Sequence, residues 1–563
     1  MFVTDYLAYQ RLNMIKMRCI PTFIFISLFA IQTIYCQMTF NGKKLFGNEW
    51  LTKGQKYFKF SLAADGFCRI NYQTLLNSGI PVQSIRGDQY QIFKLGQEIA
   101  LRTSTQGVLG PNDYIEFMGF RNRAELDETL FNNKSELFNP EYSMFTDSLS
   151  YFLTWTQGTT QNRITEENND LVNLLPKDLY YTKKVIEYFN EVTTKRSFGY
   201  QHTQKMPDFD EGQGYGTDYF TERTFALNFK NSFKDFLEVK IEATLFGYGE
   251  DASAHKASFY LDNEFKDFIA FSGFKVKEGG ISLNAEDLKE QMNFKILADG
   301  NRDDRLSVSK IEYSFPAEFK FDQSKITKLF IAGSLTKRYL EIEDFNGGNE
   351  IIVYDLTNKS YLLSNKEPNG IYKINLPPSQ LDREIIILNK DQINTIAEIN
   401  PVNFENFENG DYDFIIVSSE RLINGNLGNN QIQAYVDYRS SAAGGKHKVK
   451  AVSVEDIYNS FGYGIYSHAI SMRNFFQFSR QIWPNTKFVL LIGKGLEYHV
   501  YRKNKSREYN FVPTHSAPAA DYMMVSDSAR IPFYALGRIP AINGNEISDY
   551  LNKVKEHESY LSS

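Results

Sequence analysis

The hydrophobic pattern of this chain changes near Leu381, and that change constrains the fold more than any other feature. Before it, short runs alternate apolar and polar positions, as in Phe225, Leu227 and Phe229. After it, continuous apolar runs such as 488–492 alternate with segments of helical periodicity. Alternation is typical of half-buried antiparallel strands, whereas apolar strands separated by helices are typical of a parallel sheet covered on both faces. The sequence therefore predicts β-rich, sandwich-like modules followed by an α/β domain with a mainly parallel sheet.

Seven runs before Leu381 are predicted as strands because they are aromatic or β-branched and are bounded by Gly, Asn or Asp. These are Tyr57–Leu62, Gln91–Leu95, Tyr151–Thr154, Thr224–Phe229, Leu237–Leu245, Lys256–Leu261 and Ile351–Tyr354. The strands predicted for the α/β domain are Ile385–Leu388, Phe414–Val417, Lys448–Val454, Phe488–Ile492 and Phe533–Leu536.

Three helices are predicted between or after the strands of the α/β domain. The first contains Ile432 and ends at a pair of glycines, and the second precedes Pro484. The last helix carries a stripe of apolar residues that includes Ile547 and Leu551. Asn545 is predicted as its N-cap.

The length of 563 residues suggests several domains, since a domain has roughly 150 residues. We predict a signal peptide at 1–36, a β-rich module at 37–205, a second β-sandwich-like module at 206–380, and the α/β domain at 381–563. The polar, Gly-rich stretch His202–Gly216 marks the boundary between the two β modules.

The N-terminal segment has the pattern of a cleaved signal peptide that starts at Met14 or Met17. Basic residues precede the apolar run Ile20–Ile31, which has signal-peptide length and is too short to cross a bilayer. Gln37 then begins a polar chain. We therefore expect an exported protein, at the cell surface or outer membrane or secreted, without a transmembrane helix after cleavage.

Charge and cysteine content exclude two classes of protein. The formal net charge of −6 is weak for this length, and it argues against a nucleic-acid partner. Three cysteines, two of them within the predicted signal peptide, cannot form a disulfide framework. Cys68 is the single thiol of the predicted mature chain.

A glycine-rich turn follows the apolar run 488–492. Gly493-Lys494-Gly495 lacks the spacing of a phosphate-binding P-loop and the third glycine of a dinucleotide fingerprint. It is predicted to be a tight turn at the end of a strand. The alternative is that Lys494 and His499 reach a ligand at the carboxyl edge of the sheet, where open α/β sheets bind ligands.

Two acidic stretches resemble calcium loops at first sight. Asp299–Asp304 contains an arginine and lacks the glutamate twelve residues after the first ligand, so a solvated hairpin turn is favoured. Asp208, Asp210 and Glu211 form the second stretch. No His-x-x-x-His or Cys-x-x-Cys pattern occurs, so zinc has no support. We predict no metal site and no cofactor.

The residues by themselves show no catalytic constellation. Cys68 follows an Asp-Gly turn and enters a strand far from the α/β domain, where a small buried hydrophobic residue is the favoured interpretation. Ser467 and His468 are neighbours in sequence, which implies no triad geometry. We therefore assign no catalytic, cofactor-binding or metal-binding residue.

Several blocks nonetheless appear in a familiar order. The most specific are Asp456-Ile457-Tyr458-Asn459-Ser460-Phe461 and Gly537-Arg538-Ile539-Pro540-Ala541, which stand among Tyr412–Ser419, Phe488–Gly493, Val512–Thr514 and Asp521–Tyr522. This order resembles the first half of a gingipain-type cysteine peptidase domain. Upstream, Asp65–Phe67, Asp113–Phe117, Tyr142–Asp147 and Tyr151–Thr154 resemble the segment ahead of the peptidase domain in type IX secretion sortases.

The resemblance implies a caspase-like α/β fold and a thiol endopeptidase that acts on protein substrates, with other outer-membrane secretion components as further partners. In this family a cysteine attacks the peptide carbonyl and a histidine transfers the proton. Both residues follow the Gly-Arg-Ile-Pro-Ala block and its helix, and the histidine stands in a Gly-His-Gly context. We therefore expect the catalytic pair beyond Ser563.

Two positions depart from the family pattern. Lys494 stands where the family often has an acidic residue, and His468 stands where it often has an aspartate. These departures indicate either a divergent subgroup with different substrate recognition or lost activity. The sequence as a whole leaves three interpretations: the N-terminal portion of an exported gingipain-like peptidase, a non-catalytic surface or secretion-associated binding protein with a degenerate peptidase domain, or a stand-alone peptidase that uses Cys68.

Overall fold

The structure, a computed structural model, describes residues 39–40, 43–197, 204–249, 253–423, 430–504, 506–527 and 530–561. The predicted signal peptide at 1–36 and His202 lie outside the described residues. Residues 35–563 form one compact unit.

The first β module contains a short helix among its strands. In chain order its elements are β1 (Thr39–Phe40), β2 (Lys43–Lys44), β3 (Tyr57–Leu62), β4 (Gly66–Asn71), α1 (Tyr72–Asn77), β5 (Tyr90–Lys94), β6 (Gln97–Ile99), β7 (Leu101–Thr103), β8 (Tyr114–Gly119) and β9 (Leu149–Trp155).

The second β module follows without a described α-helix. Its strands are β10 (Thr165–Glu166), β11 (Tyr181–Tyr188), β12 (Val192–Thr194), β13 (Gly214–Gly216), β14 (Glu222–Asn228), β15 (Glu238–Gly247), β16 (Ala254–Leu261), β17 (Glu264–Ser272), β18 (Val276–Asn284), β19 (Gln291–Ala298), β20 (Leu306–Ala317), β21 (Ile326–Ile331), β22 (Arg338–Ile342), β23 (Glu350–Asp355), β24 (Ser360–Asn365), β25 (Tyr372–Leu376) and β26 (Arg383–Asn389).

The remaining elements begin with two short strands and continue into the α/β region. They are β27 (Asn394–Thr395), β28 (Asn400–Val402), β29 (Phe414–Ser418), α2 (Glu420–Ile423), α3 (Gln431–Ser440), β30 (Val449–Ser453), α4 (Val454–Phe461), α5 (Ala469–Ile482), β31 (Phe488–Ile492), α6 (Tyr498–Asn504), β32 (Ala535–Ile539) and α7 (Gly544–Leu561).

Each β module is built from sheets that share one core. In the first, the sheets β28-β3-β9-β5-β6 and β27-β4-β8-β7 enclose residues such as Phe60, Ile92 and Phe117. In the second, the nine-stranded sheet β10-β24-β23-β26-β21-β11-β20-β15-β18 packs against β14-β19-β16-β17 around Phe259 and Tyr313. All seven strands predicted before Leu381 are strands in the structure, so the sandwich-like, β-rich prediction is confirmed.

The α/β region has a fully parallel sheet of order β30-β29-β31-β32. Successive residues of β29 enter different cores: Ile415 and Val417 pack on one face, and Phe414 and Ile416 on the other. A strand buried on both faces needs an unbroken apolar run, which is the pattern seen in the sequence. The predicted parallel, doubly covered sheet is confirmed.

One predicted strand of the α/β domain lies elsewhere. Ile385–Leu388 forms part of β26, which pairs antiparallel with β21 and β23 in the nine-stranded sheet of the second module. The sequence prediction is wrong here because a short apolar run carries no information about the direction of its neighbours. Likewise β10 and β11, from the segment predicted as the first module, lie in this nine-stranded sheet.

Two ends and one helix also differ from prediction. The last strand begins at Ala535 rather than Phe533 and runs through the Gly537-Arg538-Ile539 motif. Helix α7 is capped by Asn543, whose Oδ1 accepts a hydrogen bond of 3.0 Å from the Glu546 amide, and not by Asn545. Helix α4 was not predicted as a helix. The Ser453 hydroxyl caps it by accepting hydrogen bonds from the backbone amides of Glu455 and Asp456.

None of the helices within the described residues is both long and apolar enough to span a bilayer.

Candidate functional site

The carboxyl ends of the four parallel strands lie at one edge of the sheet, where open α/β sheets place their ligands. The segments that follow β31 and β32 meet there with the loop 511–521. Arg538, on the edge strand β32, holds these segments together.

The Arg538 guanidinium uses all five of its N–H donors. Nη1 donates to the carbonyls of Gly493 at 2.7 Å and Val512 at 2.8 Å. Nη2 donates to the Pro513 carbonyl at 2.9 Å and to Asp521 Oδ1 at 2.8 Å, and Nε donates to Asp521 Oδ2 at 2.6 Å. A planar fork with every donor paired fixes its neighbours in position and orientation. The arginine of the Gly-Arg-Ile-Pro-Ala block therefore shapes this edge.

The glycines flanking Lys494 are required by close packing. A Cβ on Gly495 would lie 2.7 Å from the Val512 carbonyl oxygen and 3.1 Å from Arg538 Nη1, and Gly493 has φ of +143°. The Lys494 amide donates to the Ala541 carbonyl at 2.9 Å, while its side chain is exposed. The segment is thus a packed turn.

A polar cavity of about 430 Å³ opens beside this edge. It is lined from the second β module by Lys195 and from the α/β region by Glu497, Tyr498 and His499. Lys494 is not part of the lining, so the structure does not bring Lys494 and His499 to one cavity. The described lining contains no cysteine.

The charged groups at this cavity are perturbed by burial. Burial lowers the pKa of Lys195 to about 8, although the nearby Asp210 and Asp208 oppose the shift. Lys195 Nζ donates to the Asp208 carbonyl at 2.5 Å and to Gln213 Oε1 at 2.8 Å. Burial also lowers the pKa of His499, whose Nε2 lies 3.5 Å from Glu497 Oε2. These groups can bind a polar ligand and exchange protons with it.

Cys68 belongs to the first β module and not to the α/β region. It lies in β4, is 2% exposed, and its Sγ lies 3.5 Å from the Gly66 carbonyl oxygen. Burial raises the pKa of the Cys68 thiol to about 11, so the thiolate that a nucleophile requires is scarce at neutral pH. This geometry argues against the interpretation in which Cys68 is a catalytic nucleophile.

His468 is buried and fully hydrogen-bonded. Its Nδ1 accepts from the Ile470 amide at 3.2 Å, so the proton is on Nε2, which donates to Asp127 Oδ1 at 3.1 Å. Ser467 Oγ instead accepts from Asn510 Nδ2 at 2.6 Å. Ser467 and His468 therefore form no nucleophile–base pair, and His468 joins helix α5 to the first β module.

The acidic stretches bind cations and amides of the protein itself. In the hairpin between β19 and β20, Asp304 accepts from the Gly300 amide at 2.9 Å and lies 2.6 Å from His255 Nδ1. Asp208 pairs with Arg530 at 3.0 Å, and Glu211 with Lys275 at 2.6 Å. Among the described residues no group of three or more potential metal ligands is found.

The Gly-Arg-Ile-Pro-Ala block in the sequence contains Arg538, but the sequence does not reveal the five hydrogen bonds that its guanidinium donates. Lys195 was missed, because no local pattern marks a buried lysine. Asp208 and Asp210 beside it were considered only as part of a calcium loop.

Residues 407–563 match peptidase family C25. The match begins just before β29 and continues through α7, so it covers the whole parallel sheet and the Arg538 network. The α/β region of this chain is therefore similar to that family, the gingipain family, which its blocks resemble.

The fold of the chain is similar to that in the crystal structure of dimeric latent PorU from Porphyromonas gingivalis. The TM-score is 0.56 at 14% identity, and the match covers 89% of this chain and 49% of the PorU chain. The chain therefore spans about half the length of PorU. At this identity the likeness establishes the fold.

Two carbohydrate-binding modules match a smaller part of the chain. The CBM36-1 domain of a xylanase from the hindgut metagenome of Trinervitermes trinervoides has 12% identity and a TM-score of 0.16, covering 23% of this chain and 96% of its own. A CBM36 module in complex with calcium and xylotriose has 13% identity and a TM-score of 0.15, covering 23% and 98%. These scores are too low to carry an argument. No curated protein sequence matches the chain.

Proposed function

We propose that this chain is the N-terminal portion of an exported, gingipain-like cysteine endopeptidase, related to the type IX secretion sortases that process secreted proteins. The observation that carries the proposal is the coincidence of the C25 match at 407–563 with the parallel sheet and its Arg538-bound carboxyl edge. The likeness to the PorU fold over 89% of the chain supports the order of β modules followed by the peptidase region.

In this proposal the catalytic cysteine and histidine belong to the part of such a protein that this chain does not span. The residues present here supply the scaffold. Arg538 fixes the loops at the carboxyl edge of the sheet, and the β modules pack against the α/β region through residues such as Ile465 and Tyr498. Protein substrates and outer-membrane secretion components are the proposed partners, at the cell surface or outer membrane.

The alternative is a non-catalytic surface or secretion-associated protein with a degenerate peptidase region. The two departures from the family pattern favour it, since Lys494 is exposed and His468 is engaged with Asp127.

The deciding experiment is to sequence the locus past the codon for Ser563 and to measure the intact mass of the native protein. A continuing frame with a Gly-His-Gly motif and a later cysteine, together with peptidase activity that iodoacetamide abolishes, supports the peptidase. A Cys68→Ser variant serves as the control and should keep that activity. A stop codon after Ser563 with a matching mass would refute the peptidase proposal and favour the binding protein.

A further inference from the structure

A second, larger cavity lies where the first β module, the connection from β28 to β29 and helices α4 and α5 meet. It is a groove of about 870 Å³, a volume typical of ligand sites, which have roughly 300–1,000 Å³. Its lining includes 51–58, 401–407, Ser460 and Phe478, and every lining residue lies within the described part of the chain. Ser460 is in the last turn of α4, roughly 10 Å along the helix from the carboxyl end of β30. The groove is therefore separate from the edge that Arg538 holds.

The segment 403–407, which forms one side of this groove, has an unpaired backbone. It follows β28, which pairs with β3, but it has no ladder partner of its own. Among the described residues, none forms a hydrogen bond with the five amides of this segment. Of its carbonyls, that of Asn406 accepts from the Glu408 amide at 3.0 Å, and the other four have no partner within the described chain. Backbone groups are normally paired, so this segment is available to a strand from outside.

Two phenylalanines hold the unpaired segment in place. Phe404 lies against Trp50 and Tyr57 of the first β module, with ring centroids 5.8 and 5.3 Å apart. Phe407 packs against Phe461 of helix α4, at 5.2 Å. Because the segment is fixed near both ends without a ladder, little conformational freedom is left to lose when a partner strand binds.

Among the residues that line the groove, one charge is left without an ion pair. Lys53 pairs with Glu408 at 2.9 Å, and Glu405 pairs with Lys450 at 2.8 Å. Lys56, the third charged residue of the lining, is exposed and forms no ion pair with a described residue. The lining therefore carries an uncompensated positive charge, which is complementary to an acidic residue in a partner.

We propose that this groove binds an extended peptide segment of a partner protein, which adds as a strand to residues 403–407. The backbone amides and carbonyls of the peptide pair with those of the segment, as in other cases of β-strand addition. Alternate apolar side chains of the peptide contact Phe404, Phe407 and Phe478, and an acidic side chain pairs with Lys56. This inference is independent of the peptidase proposal, because the groove requires no cleavage and contains no residue of the carboxyl edge.

The test is fluorescence anisotropy of a labelled peptide, Thr-Val-Thr-Val-Glu-Val-Thr, with the full-length native protein. Main-chain hydrogen bonds supply most of the affinity in strand addition, so the probe need not match a natural partner. Iodoacetamide treatment of the protein beforehand prevents cleavage of the probe by the proposed peptidase. We expect saturable binding of one peptide per chain, weakened by more than about ten-fold when the backbone amides of the peptide are methylated. Equal binding of the two peptides, or no binding, would overturn the proposal.

Hydrogen exchange followed by mass spectrometry locates the bound peptide. The amides of 403–407 should exchange rapidly in the free protein and slowly with the peptide, whereas those of 511–521 at the carboxyl edge should not change. Protection at 511–521 alone would assign the peptide to the proposed peptidase site and overturn this inference. Slow exchange at 403–407 in the free protein would also overturn it, because residues 1–38 or a second copy of the chain would then cover the groove. Light scattering distinguishes these two.

Two pairs of variants test the role of the backbone. Asn403→Pro and Asn406→Pro each remove one N–H donor at an exposed residue, whereas Asn403→Ala and Asn406→Ala lose the same side chains and keep the donor. Successive amides of a strand point to opposite edges, so the two positions test both edges. We expect one proline variant to bind the peptide about ten-fold more weakly, the equivalent of one hydrogen bond, and both alanine variants to stay within about two-fold.

Unchanged binding in both proline variants, or an equal loss in their alanine partners, would refute the proposal. If the proline variants fail to fold, the comparison of the methylated and unmethylated peptides with the unaltered protein decides the matter.

Discussion

Two arginines of the α/β region differ in their surroundings. Arg538 at the carboxyl edge donates five hydrogen bonds, to three carbonyls and to Asp521. Arg473, in helix α5, is buried without a bond to any described residue. A guanidinium whose donors are all paired holds its neighbours in position. The difference separates a guanidinium that joins several segments of the chain from one whose Nε stays unpaired among the described residues.

Two carboxylates show the same contrast. Asp127 is fully buried and accepts from the Ser143 hydroxyl at 3.0 Å, the Met144 amide at 2.7 Å and His468 Nε2 at 3.1 Å. Asp456, in the first turn of α4, is surrounded by acidic groups instead. Burial raises its pKa to about 7, and the charges of Glu420, Glu405 and Glu455 add to the shift.

The largest effect is expected for Arg538→Met. The variant leaves three carbonyls and the Asp521 carboxylate without their donor. Because both side chains are partly buried, we expect a loss of about 3 kcal/mol, the lower end of the range for breaking a buried ion pair. Urea unfolding should show this loss. Arg480→Met, at an exposed position of helix α5, is the control, and its free energy of unfolding should lie within about 0.5 kcal/mol of that of the unaltered protein. A loss as small as that of Arg480→Met would mean that Arg538 is not structural.

Asp127→Asn should be next in size. The amide has nearly the same volume, but its NH₂ group replaces one of the two oxygens that accept from three donors, so at least one donor loses its acceptor. We expect a loss of about 2–3 kcal/mol in the free energy of unfolding, because buried donors are left unpaired. Asp549→Asn at an exposed position of α7 is the matched control. Equal midpoints for the two variants would contradict the role of the Asp127–His468 contact.

Asp456→Asn should change the pH dependence of stability. In the folded state the acid keeps its proton up to about pH 7, whereas the unfolded chain releases it near pH 4. The folded state thus binds more protons between these values, so this group stabilises the fold below about pH 4 and the contribution is lost as pH rises through 7. The free energy of unfolding of the variant, relative to that of the unaltered protein, should be about 1–2 kcal/mol higher at pH 8 than at pH 4. This magnitude is smaller than the full pKa shift implies, because the side chain is partly exposed. A flat difference between the two pH values would show that Asp456 ionises normally.

Cys68→Ala should have the smallest effect. The side chain is a small buried group with a single weak hydrogen bond, and it packs in the core of the first module, so we expect a loss of about 1 kcal/mol. Any peptidase activity of the native protein should be unchanged, which a peptide-cleavage assay of matched samples checks. Loss of activity without loss of folding would restore Cys68 as a nucleophile.

The sequence predicts most where the determinants are local. Phe488–Ile492 was recognisable as a parallel strand because burial on both faces leaves no polar position. Ile385–Leu388 has the same pattern but lies in an antiparallel sheet, since strand direction depends on partners far along the chain. The predicted cap of α7 was wrong because Asn543 and Asn545 both suit an N-cap position in the sequence. Only the hydrogen bond that Asn543 Oδ1 accepts from the Glu546 amide distinguishes them.

The cavity around Arg473 could not be predicted from sequence. On a helix an arginine is most often solvated, although the apolar Met472 and Phe476 place Arg473 beside the buried face of α5. The fold brings it together with His515 and with Asp210, which comes from the second β module. Such a cavity depends on tertiary packing alone, and the family blocks do not include it.

The return of the chain at β27 and β28 has a consequence for synthesis. These strands complete the two sheets of the first module by pairing with β4 and β3, and Thr74 Oγ1 donates to the Ile396 carbonyl, 322 residues away. Until they emerge from the ribosome, both sheets keep an unpaired edge, and closing so long a loop is slow. A nascent chain that stops before Asn394 should therefore aggregate through these edges. The module that is translated first is therefore completed only after the second β module has been synthesised.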